Sequence, residues 1–291
     1  MNNPFQKKSR DDQFSDRDRD RLNSFIYARY GIKMPSANKS LITAWLQSRS
    51  NSLGIAPIKE YINLILDPDS GSDELTNLID VVTITETRFF SEPAHFEYLA
   101  REVLPGLVQT KGAGVRRPLM LWSAGCSSGE EPYTLTMVLS EFAELVPGIN
   151  FKAKILATDI STTALAKATQ AVYDMEQVEK IPLPVKKKYL LKSRDANRNL
   201  VRIVPNLRSM VRFRRLNLMD DQFGLRERLD VIFCRDVILY FDHHTQEKLI
   251  KKFCRHLNPG GFLFLGNSES LNNISTPLVK IAPTIYRMPE Q

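Results

Sequence analysis

The sequence predicts an α/β fold: a doubly wound, mostly parallel sheet, preceded by a small all-helical N-terminal domain and carrying an antiparallel β insertion. Three observations lead there. An apolar run, Pro118-Leu119-Met120-Leu121, enters Trp122-Ser123-Ala124-Gly125-Cys126-Ser127-Ser128-Gly129-Glu130-Glu131-Pro132, and a helical stretch from Tyr133 to Leu139 follows. A buried strand, a small-residue turn and a helix start make the first βα unit of a nucleotide-binding sheet. Beyond it, apolar strand runs at 154–160, 229–236 and 262–266 alternate with helical runs. Before it, residues 21–80 carry helical periodicity alone.

Residues 1–20 alternate in charge, as in Arg17-Asp18-Arg19-Asp20, and are expected to form a mobile tail. Leu22, Phe25, Ile26 and Tyr30 then mark a first helix that Gly31 stops. Ser40 to Arg49 and Pro57 to Leu66 predict two more helices. After the loop Asp67-Pro68-Asp69-Ser70-Gly71-Ser72, Asp73 is the expected cap of a fourth, with Leu75, Leu78 and Ile79 inward. Residues 81–95 are read as a linker entering the site, and 96–291 as the large domain. Its strands are followed by helices with Ala164, Leu165 and Ala168, and from Thr245 to Leu257. Pro259-Gly260-Gly261 is read as a turn, and Thr284 to Met288 as a last edge strand. The β insertion is expected at about 183–213. There Leu200-Val201-Arg202-Ile203-Val204 and Met210-Val211-Arg212-Phe213-Arg214 alternate in hydrophobicity around Pro205-Asn206, and Arg212 to Leu218 continues into the main sheet.

At 291 residues, 43% hydrophobic and 25% charged, the chain suffices for one large domain plus a smaller one. No uncharged apolar run of about 18 residues and no signal-peptide core occur, so membrane insertion is not expected and the expected location is cytoplasmic. Cys126, Cys234 and Cys254 lack a Cys-x-x-Cys spacing, and His95, His243, His244 and His256 lack a ligand spacing, so no metal site is predicted. The net charge of +7 is read either as suited to an acidic partner, a carboxylate-rich protein surface or nucleic acid, or as an ordinary basic surface. No Arg/Lys tract with interleaved aromatics favours nucleic acid. A monomer is expected.

The glycine turn is neither Gly-x-Gly-x-x-Gly nor a Walker loop. Glu130 and Glu131 stand where a pyrophosphate would sit, which points to a cationic or hydroxyl-rich ligand instead. S-adenosylmethionine answers that description, with a sulfonium, an ammonium, ribose hydroxyls and no phosphate. Gly125 and Gly129 let backbone and ligand approach closely. Asp159 ends the second strand, where it either accepts both ribose hydroxyl protons or caps the next helix. Glu130 and Glu131 either pair with the ligand's ammonium or settle a helix N-terminus. Asn217 and Leu218, at another strand end, offer an amide and an apolar contact for adenine. Arg235-Asp236-Val237-Ile238-Leu239-Tyr240-Phe241 brings a cation, a carboxylate and a phenol to the mouth of the sheet. The competing reading makes Tyr240 and Phe241 core and Arg235 a local ion-pair partner. Cys126 and Cys234 are read as packing residues rather than nucleophiles.

These segments, in this order, resemble the chemotaxis receptor glutamate methyltransferases, the CheR family, from about residue 20 to 288. The resemblance rests on Glu74-Leu75-Thr76-Asn77-Leu78-Ile79-Asp80, Thr85-Glu86-Thr87-Arg88-Phe89-Phe90 and the glycine turn through Tyr133. It rests also on Ala157-Thr158-Asp159-Ile160, Leu216-Asn217-Leu218, Phe233 to Phe241 and Gly266-Asn267-Ser268-Glu269-Ser270. It implies the class I S-adenosylmethionine methyltransferase fold and methyl transfer to glutamates on the cytoplasmic helical bundle of a chemoreceptor, with S-adenosylhomocysteine as product. It implies cofactor contacts at Thr85, Thr87, Ser91, Glu131 or Glu130, Asp159, Asn217, Leu218, Arg235 and Asp236. It further implies a helical domain that helps hold the substrate, and an insertion that in some members docks on a receptor's C-terminal peptide. A glutamate has an ordinary pKa of about 4.3 and needs no general base. Tyr240 and Arg235 are the candidates for orienting either that carboxylate or the cofactor.

Three positions depart from the family. Ser91 stands where an arginine usually follows the Phe-Phe pair, and Thr85 and Asp236 stand where asparagine is usual. If 86–92 is helical, Arg88 shares a face with Ser91 and takes over the missing guanidinium's role. The insertion has no glycine between 192 and 204, which argues against tethering to a receptor tail. Two rival functions remain at this stage: a cofactor-binding sensor with weak catalysis, motivated by those departures, and a nucleic-acid methyltransferase, motivated by charge.

Overall fold

The computed structural model describes residues 14–33, 39–67, 71–83, 87–146, 148, 150–195 and 197–290. They fall into two compact units, one before residue 85 and one from there onward.

The first unit is helical. Helix α1 (Asp16–Tyr30) starts at Ser15, whose hydroxyl accepts from the Asp18 N–H at 3.1 Å, and stops at Gly31 in the left-handed region at φ 69°. Leu22, Ile26 and Tyr30 share its buried face. The tail expected over 1–20 is therefore too long: residues 16–20 open α1, because Ser15 caps it and Asp16 and Asp18 suit the positive end of the helix. Residues 1–13 lie outside the described residues. Helices α2 (Lys39–Ser52), α3 (Ile58–Leu66) and α4 (Ser72–Val82) follow. Arg49 of α2 donates twice to Glu74 of α4, at 2.9 and 2.6 Å, and the buried Tyr61 of α3 donates to the same carboxylate at 2.8 Å. One ion pair thus fixes three helices. Asp73 is not the cap of α4; Gly71 occupies that place and Asp73 falls in the first turn.

α4 reaches Val82, so the connection is shorter than the 81–95 expected, and Pro93 at the first turn of α5 (Pro93–Tyr98) ends it. A π-helical turn, Leu99–Val103, leads into α6 (Leu104–Lys111). The alternating part then runs β1 (Leu119–Ala124), α7 (Glu130–Glu144), β2 (Ala153–Asp159), α8 (Thr162–Gln170) and β3 (Val172–Asp174). It continues with α9 (Leu183–Tyr189), β4 (Leu190–Lys192), β5 (Leu200–Ile203), α10 (Pro205–Ser209), β6 (Val211–Arg215) and β7 (Leu229–Cys234). It closes with α11 (His243–His256), β8 (Leu257–Leu265), β9 (Val279–Ala282) and β10 (Ile285–Arg287).

Seven strands lie in the order β6-β2-β1-β7-β8-β10-β9. The first five are mutually parallel, and β10 runs antiparallel to β8. The order reverses between β1 and β7. Chain leaving their carboxyl ends diverges there, which opens the crevice where ligands bind in such sheets. Trp122 of β1 is wholly buried, and its indole N–H donates to the Thr158 hydroxyl of β2 at 2.9 Å. On one face Trp122, Ile232 and Phe253 pack together; on the other, Phe96, Phe233 and Phe264 do. The rings of Phe233 and Phe264 stack at 4.3 Å.

Three sequence expectations need correction. The insertion is an antiparallel sheet of order β3-β5-β4, so it draws in 172–174 and ends at 203 rather than 213. The main-sheet strand expected over Arg212 to Leu218 is present as β6, which starts at Val211, ends at Arg215 and lies parallel to β2 with Ile155 opposite Val211. The second half of the expected hairpin thus belongs to the main sheet. Period-two alternation fits either sheet, and Pro205 opens the short helix α10, which turns the chain into the parallel register. Residues 259–261 are not a free turn: β8 runs through them, with a register irregularity opposite β7 and Gly260 at φ 78°. Finally, β10 is not the edge, because β9 pairs outside it. No helix of the described residues is long and apolar enough to cross a membrane.

Candidate active site

The loops that leave β1, β2, β6 and β7 carry most of the residues singled out in the sequence. Backbone strain gathers in the same region. Phe90, Glu92, Ser127 and Asp236 all hold positive φ, between 46° and 56°, although none is glycine. Such conformations persist where the surrounding structure over-determines them, and they favour functional sites.

Arg235 leaves β7 and is the hub. Its Nε donates to Glu92 at 3.1 Å, its Nη2 donates to the Ser91 carbonyl at 2.7 Å, and its Nη1 lies 3.4 Å from Glu131. The guanidinium lies over the Phe96 ring at 5.4 Å, and its side chain is 4% exposed. A buried cation with two carboxylates, a carbonyl and a ring face has little freedom to move. Glu92 also accepts from the Asn267 N–H at 2.7 Å. Glu131 accepts from the Ser123 hydroxyl at 2.7 Å. Burial pushes the Glu131 carboxyl up, and Arg235 opposes that shift.

Glu130 does a different job. It is fully buried, and its carboxylate accepts from Thr87 at 2.5 Å and from Ser128 at 2.8 and 2.9 Å. It therefore ties the 87–90 turn to the glycine turn and has little capacity left for a ligand. Glu131 is turned differently: its side chain is 17% exposed, with one oxygen on the Ser123 hydroxyl and the other 3.4 Å from Arg235. Asp159 accepts from the Ser127 N–H at 2.8 Å and from the Ser161 N–H at 2.9 Å, which holds its carboxylate at the end of β2. Ser161, not Asp159, caps α8. Asn217 and Leu218 are half-buried just beyond β6, and the Asn217 Oδ1 accepts from the Met219 N–H at 3.0 Å. Gly125 has φ 82°, and a Cβ there would come within 2.3 Å of Val237. The β1 and β7 loops can therefore touch only without a side chain at that position.

The loop after β7 is shaped by a residue that the sequence reading quoted but gave no role. Glu269, 5% exposed, accepts from the N–H groups of Gly266, Asp236, Val237 and Leu239, at 2.7 to 3.3 Å. Asp236 is exposed as a residue, and partial desolvation with Glu92 nearby pushes its carboxyl up. Tyr240 is half-buried at the end of the 3₁₀ turn Ile238–Tyr240. Glu92 and His95 were also missed. Their signal was local: Glu92 is the cap position before Pro93, and His95 follows one turn on.

Arg88 is exposed, and its expected helical context is absent. Residues 88–91 form a turn closed by the Ser91 N–H to the Arg88 carbonyl at 3.4 Å, and Phe90 and Glu92 in the left-handed region keep α5 from extending backwards. Arg88 and Ser91 therefore do not share a helix face. Ser91 is itself exposed and meets Arg235 through its carbonyl. Thr85 lies outside the described residues. Cys126 and Cys234 are buried with thiols pushed well up, as packing residues would be.

His95 gives a testable pH dependence. It is 3% exposed, its Nε2 lies 2.8 Å from the Thr284 hydroxyl, and burial, with Arg235 nearby, lowers its pKa from 6.5 to about 4. Glu92 lies 3.2 Å from Nδ1 but already serves Arg235 and Asn267. As pH falls from 6.5 to 4, the unfolded chain takes up a proton that the folded one refuses. Stability is thus complete above that window and is lost through it, by up to about 3 kcal/mol. Urea unfolding at stepped pH will show this slope, and His95→Gln will flatten it; identical slopes in both proteins would contradict the assignment.

With this geometry in view, relatives can be compared. Residues 85–286 match the model described as CheR methyltransferase, SAM binding domain, and 17–83 match CheR methyltransferase, all-alpha domain. The chain belongs to the CheR methyltransferase family. It is 38% identical over 267 residues to a chemotaxis protein methyltransferase of Borreliella burgdorferi, covering 92% of each chain. It is 34% identical to chemotaxis protein methyltransferase 2 of Pseudomonas aeruginosa, over 90% of this chain and 89% of that one. With the chemotaxis protein methyltransferase of Escherichia coli it shares 32% identity over 92% and 89% of the two chains. This CheR protein is an S-adenosylmethionine-dependent methyltransferase of the chemotaxis type.

The residues present fit the cofactor. Glu131 sets a carboxylate beside the glycine turn that suits an ammonium, Asp159 sets one beyond the carboxyl end of β2 that suits a diol, and Gly125 removes the side chain between the two loops. Arg235, the cation at the centre, is engaged by Glu92 and Ser91, as a phosphate-binding arginine would not be.

Proposed function

We propose that this protein transfers the methyl group of S-adenosylmethionine to glutamate side chains on the cytoplasmic helical bundle of a chemoreceptor. The observation that carries the reading is the buried Arg235 cluster with Glu131 and Glu92, beside the strained loops after β1 and β7. Bound there, S-adenosylmethionine supplies an electrophilic methyl on a sulfonium. Glu131 holds the ammonium, Asp159 the ribose hydroxyls, and Asn217 with Leu218 the adenine. Glu130, through Thr87, fixes the turn that closes the pocket, with Gly125 as its floor and Ser91 and Asp236 at its rim. Arg235 orients Glu131 and balances its charge.

A glutamate acceptor arrives ionised, so no general base is required. The protein must align one carboxylate oxygen with the methyl and exclude water. Positioning of this kind supplies roughly 7–11 kcal/mol. Tyr240 donates its phenolic hydrogen to the acceptor carboxylate and fixes its direction. Arg88, exposed beside Thr87, meets the acidic substrate on arrival, and the net charge of +7 favours the same encounter. Tyr240→Phe is expected to lower kcat about ten- to a hundredfold, as loss of a hydrogen bond to a charged group does, with S-adenosylhomocysteine affinity unchanged. Wild-type turnover in that variant would remove the phenol from the reaction.

The reading as a whole is tested with tritiated cofactor and a soluble cytoplasmic receptor fragment. Base-labile counts on the fragment, released as methanol, are the expected result. Tight cofactor binding without such counts would favour a sensor instead.

A further inference from the structure

Residues 217–222 form the segment that is to face the adenine, and they belong to neither a helix nor a strand. Within the segment, the Asp220 N–H donates to the Asn217 carbonyl at 3.0 Å, and the Met219 N–H to the Asn217 side chain. Those bonds shape the turn, and α11 adds two more from outside the segment. The Lys252 ammonium donates to the Leu218 carbonyl at 2.7 Å and to the Asp220 carbonyl at 2.8 Å, and it lies 4.9 Å from the centre of the Phe223 ring. α11 is itself held by Leu249, Ile250 and Phe253 in the core.

We infer that Lys252 is a positioning residue for the cofactor: it clamps the adenine-facing segment to α11 by two backbone carbonyls. The inference rests on the proposed role of Asn217 and Leu218. An ammonium suits the task because its three donors can serve two carbonyls at once, and both lie on residues flanking Met219. Hydrogen bonds from a charged donor outlast neutral ones. The clamp also preorganises the segment, so ordering it need not be repeated when ligand binds. Lys248, Lys251 and Arg255 share the Lys252 side of α11 and line the same cleft of about 510 Å³. Lys251 pairs with Glu247 on its own helix.

The test uses the full chain and S-adenosylhomocysteine. Lys252→Met keeps the aliphatic stem and removes the donors. It is expected to raise the calorimetric Kd about tenfold and to speed amide hydrogen exchange at 218–221 in the ligand-free protein. KM for the cofactor rises by a similar factor, and kcat at saturation stays within about twofold. Lys252→Arg, which can donate to both carbonyls, recovers most of the affinity, and Lys251→Met changes nothing. An unaltered Kd and unaltered exchange in a folded Lys252→Met protein would overturn the inference. If Asn217→Ala weakens binding while Lys252→Met does not, the clamp alone fails. If neither variant changes Kd, the adenine assignment fails with it.

Discussion

Arg235→Met is expected to remove both methyl transfer and a large part of the fold's stability. The substitution leaves Glu131 and Glu92 partly buried, at 17% and 16% side-chain exposure, without their counter-charge. Breaking a buried pair from one side costs about 3–5 kcal/mol. The Ser91 carbonyl loses its donor as well, and the strained 90–92 segment loses the contact that holds it. Urea unfolding will report a lower midpoint at unchanged slope. The deficit has a pH signature. Glu131 already titrates above its ordinary range through burial, and removing the guanidinium raises it further. An acid whose folded pKa is raised contributes stability below its unfolded pKa and loses it as pH rises through the folded one. The variant's deficit must therefore be smaller near pH 5 than near pH 8. A variant of wild-type stability, or one whose deficit grows on acidification, would remove Arg235 from its place as hub.

Glu269→Ala is the second large effect. One buried carboxylate here accepts from four backbone N–H groups, and alanine leaves all four without that partner. At about 1–3 kcal/mol for each buried donor left unsatisfied, even partial rehydration leaves a loss of several kcal/mol. The consequence is local too. Asp236 holds φ 56° because Glu269 receives its N–H, and Gly266 approaches it so closely that a Cβ would come within 2.7 Å of the Asp236 carboxylate. Releasing the loop displaces Arg235 and Tyr240 at its two ends, so turnover falls with stability. Glu269→Gln keeps one acceptor oxygen but sets an amide N–H₂ against backbone donors, and its loss falls between the two. Full activity in a folded Glu269→Ala protein would contradict this role.

Much of the sheet could be read from the sequence because its strands are continuous apolar runs between turn residues. Leu119–Ala124 and Leu229–Cys234 are buried almost throughout, the pattern a central parallel strand requires. The insertion was harder. Val211 and Phe213 alternate with arginines as a solvent-facing hairpin would, and only the turn through α10 decides which sheet they join. Short pairings such as Val172 with Arg202 carry no local signal, because they join residues far apart in the chain. In the site, Asp159, Asn217 and Arg235 were visible as polar residues at strand ends. Which glutamate of the pair Glu130-Glu131 faces Arg235 was not visible. Neighbouring positions at a helix start point differently, and only the contact with Thr87 shows Glu130 turned inward. The helical context expected around Arg88 is absent because residues at positive φ, Phe90 and Glu92, interrupt a stretch that reads as helix in the sequence. Strain of that kind leaves no mark on composition or periodicity.

The central claim is that the loops after β1, β2 and β6 hold the cofactor through Glu131, Asp159 and Asn217. Calorimetric titration of S-adenosylhomocysteine into the wild type, Asp159→Ala and Glu131→Gln measures this directly. The account predicts one ligand per wild-type chain and an affinity at least about tenfold weaker in each variant, the size of one charge-assisted hydrogen bond lost. Binding of equal strength in all three proteins, or no binding heat in the wild type, would contradict it.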